Sequence, residues 1–168
     1  GSTCTGTEAR GEEAVEAAVA ACEVPRNLPA YGRGAILRNI SAGIKARREE
    51  LGRLIAMEAG KPIRDALTEV DRAVLTFRLG AEEEERMYGE VIPLDLMASS
   101  RGRVGITRRF PIGPIAGISP FNFPLNLAAH KVSPAIASGN PIGLKPPSQD
   151  PRVMPTVAQF LDEAGARA

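Results

Sequence analysis

A proline-rich loop carries the side chain that is best suited, in this sequence, to take part in a reaction. Within Ser119-Pro120-Phe121-Asn122-Phe123-Pro124, the two prolines fix φ and restrict the backbone around Asn122. The Asn122 amide is a neutral N–H donor, and a donor held in place can stabilise a developing negative charge. An asparagine in such a loop can equally satisfy a turn of the backbone, so the residue alone leaves both interpretations open.

A second polar loop, Lys145-Pro146-Pro147-Ser148, follows a short apolar run. A lysine directly after an apolar strand often does no more than carry its ammonium group to solvent on an alkyl stem. Taken by itself, Lys145 therefore indicates the end of a strand as readily as a ligand-binding group.

The elements around these loops predict how they are positioned. Residues 115–118 and 142–144 are short and apolar, as in buried strands, and residues 125–138 have the pattern of a helix that Gly139-Asn140 ends. The order predicts a βαβ unit with parallel strands. Ligands of open parallel sheets bind outside the carboxyl ends of the strands, so we expect the two loops to meet there and form a site.

A further helix is predicted after the second loop. Asp150 is a suitable N-cap and Pro151 suits the first helical position. Apolar residues then recur on one helical face up to Gly165: Val153, Val157, Phe160, Leu161 and Ala164.

One face of the first of these helices combines polar and apolar side chains. Phe123, Asn126, Leu127 and His130 fall at i, i+3, i+4 and i+7, which places them on a single face. His130 is the only histidine, and neither a cysteine nor a Ser-Asp pair near it supports a catalytic role. Alone, it indicates a structural hydrogen-bonding residue.

The first half of the chain has helical spacing throughout. Its apolar positions recur at about 3.6 residues: Ala14, Val15, Ala18 and Cys22; Ile36, Leu37, Ile40 and Ile44; Leu51, Leu54 and Ile55. Gly60-Lys61-Pro62 ends one helix, and the next should run through Val70, Val74, Phe77 and Leu79 to about Tyr88. Four adjacent carboxylates, Glu82 to Glu85, spread around a helix instead of converging, which favours a solvated face over a cation site.

Two short β-branched stretches follow the helices. Residues 91–94 and 104–107 are separated by the polar Ser99-Ser100-Arg101-Gly102, which predicts a hairpin or ribbon. Because such a ribbon exposes unpaired edges, we expect another chain or a segment missing from this sequence to pair with it.

Several segments in order resemble the aldehyde dehydrogenase superfamily. They are Glu58-Ala59-Gly60-Lys61-Pro62, Phe110-Pro111-Ile112-Gly113-Pro114, Ile118 to Leu125, Lys131, Pro134-Ala135, Ser138-Gly139-Asn140 and Leu144-Lys145-Pro146. The resemblance extends from about Ala14 to Ala168. It implies an α/β fold, aldehyde-dehydrogenase-like, in which the first βαβ unit of a Rossmann-type parallel sheet follows helices and an oligomerisation ribbon.

The resemblance also implies a mechanism. In the family a cysteine thiolate attacks the aldehyde, hydride passes to nicotinamide, and a glutamate activates the water that releases the acid. Asn122 matches the amide that stabilises the thiohemiacetal oxygen, and Lys145 matches the lysine that binds the adenosine ribose. NAD-specific members often carry a glutamate where this chain has Ser148, so NADP or NAD is the implied cofactor.

The remaining site residues come from the same resemblance. The implied cofactor-binding set is Ile118, Ser119, Pro120, Phe121, Lys145, Pro147 and Ser148. The face formed by Phe123, Asn126, Leu127 and His130 matches the family's aldehyde tunnel. No metal site is implied.

The chain departs from the family pattern where the nucleophile and base are concerned. Cys4 and Cys22 stand too early in the order to be the nucleophile, and Gly32-Arg33-Gly34 lacks the third glycine of a phosphate-binding turn. We therefore expect a truncated part of the enzyme, inactive by itself. The alternative is a non-catalytic product that acts only by associating with itself or a full-length relative.

The resemblance divides the chain into three parts. These are residues 1–88, the helical part of the cofactor-binding domain; residues 89–110, the oligomerisation ribbon; and residues 111–168, the incomplete start of the Rossmann-type domain, with the catalytic domain absent. The expected partners are a small aldehyde and further copies of the chain, as a dimer or tetramer.

The charge and apolar pattern exclude two classes of partner. With 21 basic and 20 acidic side chains, the net charge is +1, and no single-sign block indicates nucleic-acid binding. Proline or glycine interrupts the longest apolar run well short of a bilayer span, and the first residues are too polar for a signal peptide. A cytoplasmic protein without a membrane partner is the expectation.

Overall fold

A computed structural model describes residues 6–149 and 151–166. The helices are α1 (Glu8–Ala20), α2 (Glu23–Asn27), α3 (Ala30–Ala46), α4 (Arg48–Ala59), α5 (Ile63–Glu84), α6 (Pro124–Ala137) and α7 (Val153–Glu163). The strands are β1 (Val91–Pro93), β2 (Val104–Ile106), β3 (Ile115–Ile118) and β4 (Ile142–Lys145). The predicted α/β class is confirmed.

The two pairs of strands form separate sheets. Strands β3 and β4 are parallel, with Ile115 opposite Ile142 and Ile118 opposite Lys145. The connection between them is α6, so the predicted βαβ unit is confirmed. Strands β1 and β2 pair antiparallel as the predicted ribbon, with Val91 opposite Ile106.

The hydrophobic core lies where α3, α5 and α6 pack together. Helix α3 buries Ile36, Leu37, Ile40 and Ile44, as its spacing predicted. Helix α5 buries Phe77 completely, and removing such a ring costs about 3–5 kcal/mol. Leu125 and Val132 complete the core from α6. The core thus fastens the N-terminal helices to the βαβ unit.

Helices α5 and α6 approach each other closely at Gly80 of α5. A Cβ atom at Gly80 would overlap the Ser133 hydroxyl of α6. That hydroxyl donates to the Thr76 carbonyl at 3.2 Å, so a side chain of one helix hydrogen-bonds the backbone of the other. A side chain at position 80 would therefore displace the Ser133 hydroxyl from this hydrogen bond.

Some helix ends follow the prediction from sequence and others depart from it. Gly60 takes the left-handed conformation (φ 66°) after α4, as predicted for a helix stop. Helix α5 ends at Glu84, short of the predicted Tyr88. Helix α7 begins at Val153, whereas Asp150 was predicted as the N-cap and lies outside the described residues.

A distant carboxylate supplies an acceptor near the start of α7. Both carboxylate oxygens of Glu58 accept the backbone N–H of Arg152, at 2.9 and 3.1 Å. Pro151 lies in the preceding turn and not at the first helical position. A carboxylate 94 residues earlier in the chain therefore accepts the N–H group at the start of this helix.

The prediction of a solvated face for Glu82 to Glu85 is wrong for Glu84. Its side chain is buried, and Oε1 accepts from the Arg33 guanidinium at 2.9 Å. Arg33 also donates to the carbonyls of Leu28 and Ala137. Burial raises the pKa of the Glu84 carboxyl, and Arg33 only partly opposes that increase.

The predicted apolar face of α1 is not buried. No side chain of Glu8–Ala20 is buried, and Val15 is 61% exposed. Periodicity identified the helix correctly, but the face that it marks contacts little of the described chain.

Candidate functional site

The two polar loops meet at the carboxyl end of the parallel sheet, as predicted. The Ser119 N–H donates to the Lys145 carbonyl at 3.1 Å, which continues the ladder one step beyond β3. Parallel pairing brings the two loops together because both leave the sheet at the same edge. The structure thus brings Ile118 and Ser119 next to Lys145 at this edge of the sheet.

Ser119 is the most enclosed polar residue of this site. It is 3% exposed, and its hydroxyl makes no hydrogen bond within the part of the chain that the structure describes. A buried hydroxyl without a partner costs free energy comparable to a lost hydrogen bond. Ser119 is therefore ready to hydrogen-bond a group that lies outside the described chain.

Lys145 and Ser148 form the outer part of the site. The Lys145 ammonium donates to the Ser148 hydroxyl at 3.1 Å, and both side chains are exposed. Pro147 between them is buried and anchors the loop. The site therefore offers an ammonium group and a hydroxyl to solvent at the end of β4.

Asn122 lies between two prolines and is exposed. Its side chain makes no hydrogen bond to any residue in 6–149 or 151–166, which disfavours a role in satisfying a turn. Phe121 beside it is 52% exposed, and Pro120 and Ile118 are exposed as well. The loop thus presents both an unused amide and apolar surface.

A buried carboxylate of α5 closes the first turn of α6. Glu69 is 1% exposed, and its Oε1 accepts the backbone N–H groups of Leu125 (2.9 Å) and Asn126 (3.2 Å). The first N–H groups of a helix have no partner within it, and an anion there also complements the helix dipole. Glu69 therefore supplies a cap from another helix.

The second oxygen of Glu69 binds a cation. Its Oε2 accepts from the Lys61 ammonium at 2.6 Å, and that ammonium also lies 4.0 Å from the centre of the Phe123 ring. Sequence reasoning missed Glu69, although one signal was present. It shares a helical face with Ala66, Ala73 and Phe77, so a charged residue occurs within an apolar stripe.

The four side chains predicted to form one face of α6 differ in burial. Phe123 and Leu127 are half-buried and His130 is exposed. Asn126 is 7% exposed, and its Oδ1 accepts from the Thr76 hydroxyl at 3.3 Å. Asn126 is thus buried against α5, whereas the other three side chains are more exposed.

Other potential sites gain no support from the structure. Among the described residues no group of three or more His, Cys, Asp or Glu could hold a metal ion. Gly32 and Gly34 lie within α3, as predicted, and not in a phosphate-binding turn. Cys22 donates to the Ala18 carbonyl at 3.4 Å, and Cys4 lies outside the described residues.

None of the helices in residues 6–149 and 151–166 is both long enough and apolar enough to span a membrane.

Comparison with known proteins places these features in context. The profile of the aldehyde dehydrogenase family matches residues 1–168. Lactaldehyde dehydrogenase from Methanocaldococcus jannaschii is 44% identical over 153 residues, which cover 91% of this chain and 32% of that protein.

Solved structures of aldehyde dehydrogenases resemble the chain as well. Aldehyde dehydrogenase 21 from Physcomitrella patens, in complex with the reaction product succinate, has a TM-score of 0.91 and 46% identity, covering 95% of this chain and 33% of its own. Glyceraldehyde-3-phosphate dehydrogenase from Methanocaldococcus jannaschii, complexed with NADP, has a TM-score of 0.90 and 42% identity, covering 96% and 34%. The chain spans about a third of the length of these relatives.

Proposed function

The chain belongs to the aldehyde dehydrogenase family, and we propose that it is the N-terminal part of an enzyme that oxidises an aldehyde to a carboxylic acid with NADP or NAD. The nucleophilic cysteine and the general base are assigned to the rest of that enzyme. The 168 residues alone are therefore expected to oxidise no aldehyde.

The observation that carries the proposal is the unused amide of Asn122. It belongs to a loop that joins the carboxyl end of β3 to the first turn of α6, and it has no hydrogen-bond partner in the described residues. We assign it to the oxyanion of the thiohemiacetal, where an N–H donor stabilises charge that develops during attack.

The residues at the sheet edge fit a nicotinamide dinucleotide. The Ser119 hydroxyl is buried and unpaired among the described residues, and Lys145 and Ser148 offer an ammonium and a hydroxyl suited to ribose oxygens. Ile118, Pro120, Phe121 and Pro147 would complete the contacts with backbone and apolar surface. When bound, the cofactor supplies the hydride acceptor.

Ser148 bears on the choice between NADP and NAD. A carboxylate at this position would repel a 2′-phosphate, and the serine hydroxyl does not. Lys145, 3.1 Å from that hydroxyl, adds positive charge nearby. Both features favour acceptance of NADP.

The substrate is proposed to be a small aldehyde. Phe123, Leu127 and His130 would form its wall, with Asn126 at the border. The similar proteins differ in substrate, since one is a lactaldehyde dehydrogenase and another is a glyceraldehyde-3-phosphate dehydrogenase. Family membership therefore indicates the reaction more closely than the aldehyde.

We assign the domains as the sequence indicated. Residues 1–88 are assigned to the helical part of the cofactor-binding domain, residues 89–110 to a ribbon for self-association, and residues 111–168 to the start of the Rossmann-type domain. Val91, Val104 and Ile106 of the ribbon are each at least 61% exposed, which supports an interface there. A cytoplasmic location stays a prediction of the sequence.

The test is Asn122→Ala in an intact enzyme that carries this segment. We expect kcat to decrease by on the order of 10²- to 10³-fold with the cofactor Kd unchanged, because the lost donor acts on the transition state. The decisive measurements are cofactor titration and single-turnover hydride transfer on variant and parent. An unchanged single-turnover rate, or a loss explained wholly by weaker cofactor binding, would refute the assignment.

A further inference from the structure

We infer that Lys61 and Glu69 are positioning residues for Asn122, through the Phe123 ring and the first turn of α6. The inference rests on the oxyanion role proposed for Asn122. It assigns a function to an ion pair that belongs to neither the cofactor-binding nor the substrate-binding set.

The loop that carries Asn122 is fastened at both ends. On one side, the Ser119 N–H is held by the Lys145 carbonyl at 3.1 Å. On the other side, Glu69 holds the N–H groups of Leu125 and Asn126. Between these anchors Asn122 makes no side-chain hydrogen bond within the described residues. Its position is therefore set by its neighbours.

Lys61 extends that control into the loop. Its ammonium is hydrogen-bonded to Glu69 at 2.6 Å and lies 4.0 Å from the centre of the Phe123 ring. A cation at that distance from a ring is attracted to it, the more so where water is excluded. The Lys61 side chain is 18% exposed and that of Glu69 is fully buried. Phe123 directly follows Asn122, so the pair restrains the residue next to the proposed donor.

Burying such a pair is hard to explain by stability alone. Ion pairs taken out of water contribute little net stability compared with apolar residues of similar size. An oxyanion donor, in contrast, must be held accurately, since a misplacement of about 1 Å in a catalytic group can cost about 10²-fold in rate. Accurate placement of Asn122 is the benefit that we assign to the pair.

The experiment combines variants of the pair with Asn122→Ala in an intact enzyme that carries this segment. Lys61→Met with Glu69→Gln removes both charges but keeps side-chain length and an acceptor oxygen for the two backbone N–H groups. Lys61→Gln alone leaves Glu69 in place, so a folding failure of the double variant leaves a second test. Lys61→Arg keeps the charge. Arg48→Met is the matched control, because it breaks a cross-helix pair with Asp71 that lies on the exposed surface.

The measurements are single-turnover hydride transfer at saturating cofactor, cofactor Kd and the thermal unfolding midpoint. We expect neutralising the pair to slow hydride transfer about 10- to 100-fold without changing the cofactor Kd. The Lys61→Arg variant, which keeps the charge, should retain most of the rate. In the Asn122→Ala background, neutralising the pair should slow hydride transfer no further, because the pair and Asn122 act through the same donor. Arg48→Met should leave the rate unchanged.

The contrary outcomes are distinguishable. If neutralising the pair lowers only the unfolding midpoint, or slows hydride transfer by the same factor in the parent and in the Asn122→Ala variant, the positioning role is refuted while the oxyanion proposal stands. If Asn122→Ala itself leaves hydride transfer unchanged, the oxyanion proposal fails, and the positioning role fails with it.

Discussion

The Lys145 ammonium lies 3.1 Å from the Ser148 hydroxyl, so the residue at position 148 controls the charge beside the lysine. In an intact enzyme that carries this segment, Ser148→Glu should raise the NADP Kd about 10-fold, which is about 1.4 kcal/mol, because the new carboxylate repels a 2′-phosphate. The NAD Kd should change little. Ser148→Gln is the control for size without charge, and an equal loss of NADP affinity in that variant would contradict an electrostatic cause.

A second prediction concerns the ribbon. Ile106 is 79% exposed on β2, opposite Val91, and a lysine there would place charge in the proposed interface. We expect Ile106→Lys to shift the intact enzyme toward smaller assemblies in light scattering. Val15→Lys, at an exposed apolar position on α1, should leave the mass unchanged. A parent enzyme that is already a monomer would refute the proposed interface.

A third prediction tests the close approach of α5 and α6. Gly80→Ala should destabilise the protein by about 1–3 kcal/mol, because its methyl group would displace the Ser133 hydroxyl from its hydrogen bond with the Thr76 carbonyl. Gly11→Ala is the matched control on α1, where a Cβ atom meets nothing within 4 Å. The control should be neutral or stabilising by up to about 1 kcal/mol. Equal unfolding midpoints for the two variants would argue against a steric limit at Gly80.

The fourth prediction is a dependence of stability on pH. Burial raises the pKa of Glu84 despite Arg33, with Glu85 and Arg38 as the other charges involved. The folded state therefore holds the Glu84 proton more tightly than the unfolded state does. This group's contribution to stability is present below its ordinary pKa and is lost as the pH rises through the raised value. The parent should thus lose this stability as the pH rises from acid to neutral, while the Glu84→Gln variant does not. The unfolding midpoint of the variant minus that of the parent should therefore increase over this pH range.

Asp71 provides a control of opposite sign. Its hydrogen bond with Arg48 lowers its pKa, so its contribution is present above the ordinary value and is lost as the pH falls. Asp71→Asn should therefore lose stability relative to the parent near neutral pH and approach it in acid. The difference should be about 0.2–1 kcal/mol, because this pair is exposed. Parallel pH curves for both variants would contradict the two assignments.

Local pattern predicted the βαβ unit, the ribbon and the meeting of the two loops. It succeeded because strand and helix periods, proline and glycine are local signals. It did not predict that Glu84 would be buried or that Glu69 would cap α6. Glu84 pairs with Arg33, 51 residues away, and Glu69 reaches Leu125 across 56 residues. Such partners depend on how distant elements pack together, and the spacing of residues within one helix carries no information about that packing.

The site residues show the same division. Asn122, Lys145 and Ser148 could be selected from the sequence because they follow apolar strands and match a family pattern. The Lys61–Glu69 pair was missed, since neither residue adjoins the loop in sequence and the one signal for Glu69, a charge within an apolar helical stripe, does not indicate its partners.

Glu58 and Glu69 each reach from the N-terminal helices to backbone N–H groups at the start of a later helix. Amide hydrogens in a first helical turn ordinarily exchange quickly with solvent, since no helix carbonyl accepts them. Here the amides of Leu125, Asn126 and Arg152 are held by carboxylates of α5 and α4. Their deuterium uptake therefore reports whether the helical layer is docked on the βαβ unit, and slow exchange at these three positions would disappear as soon as the two parts separate.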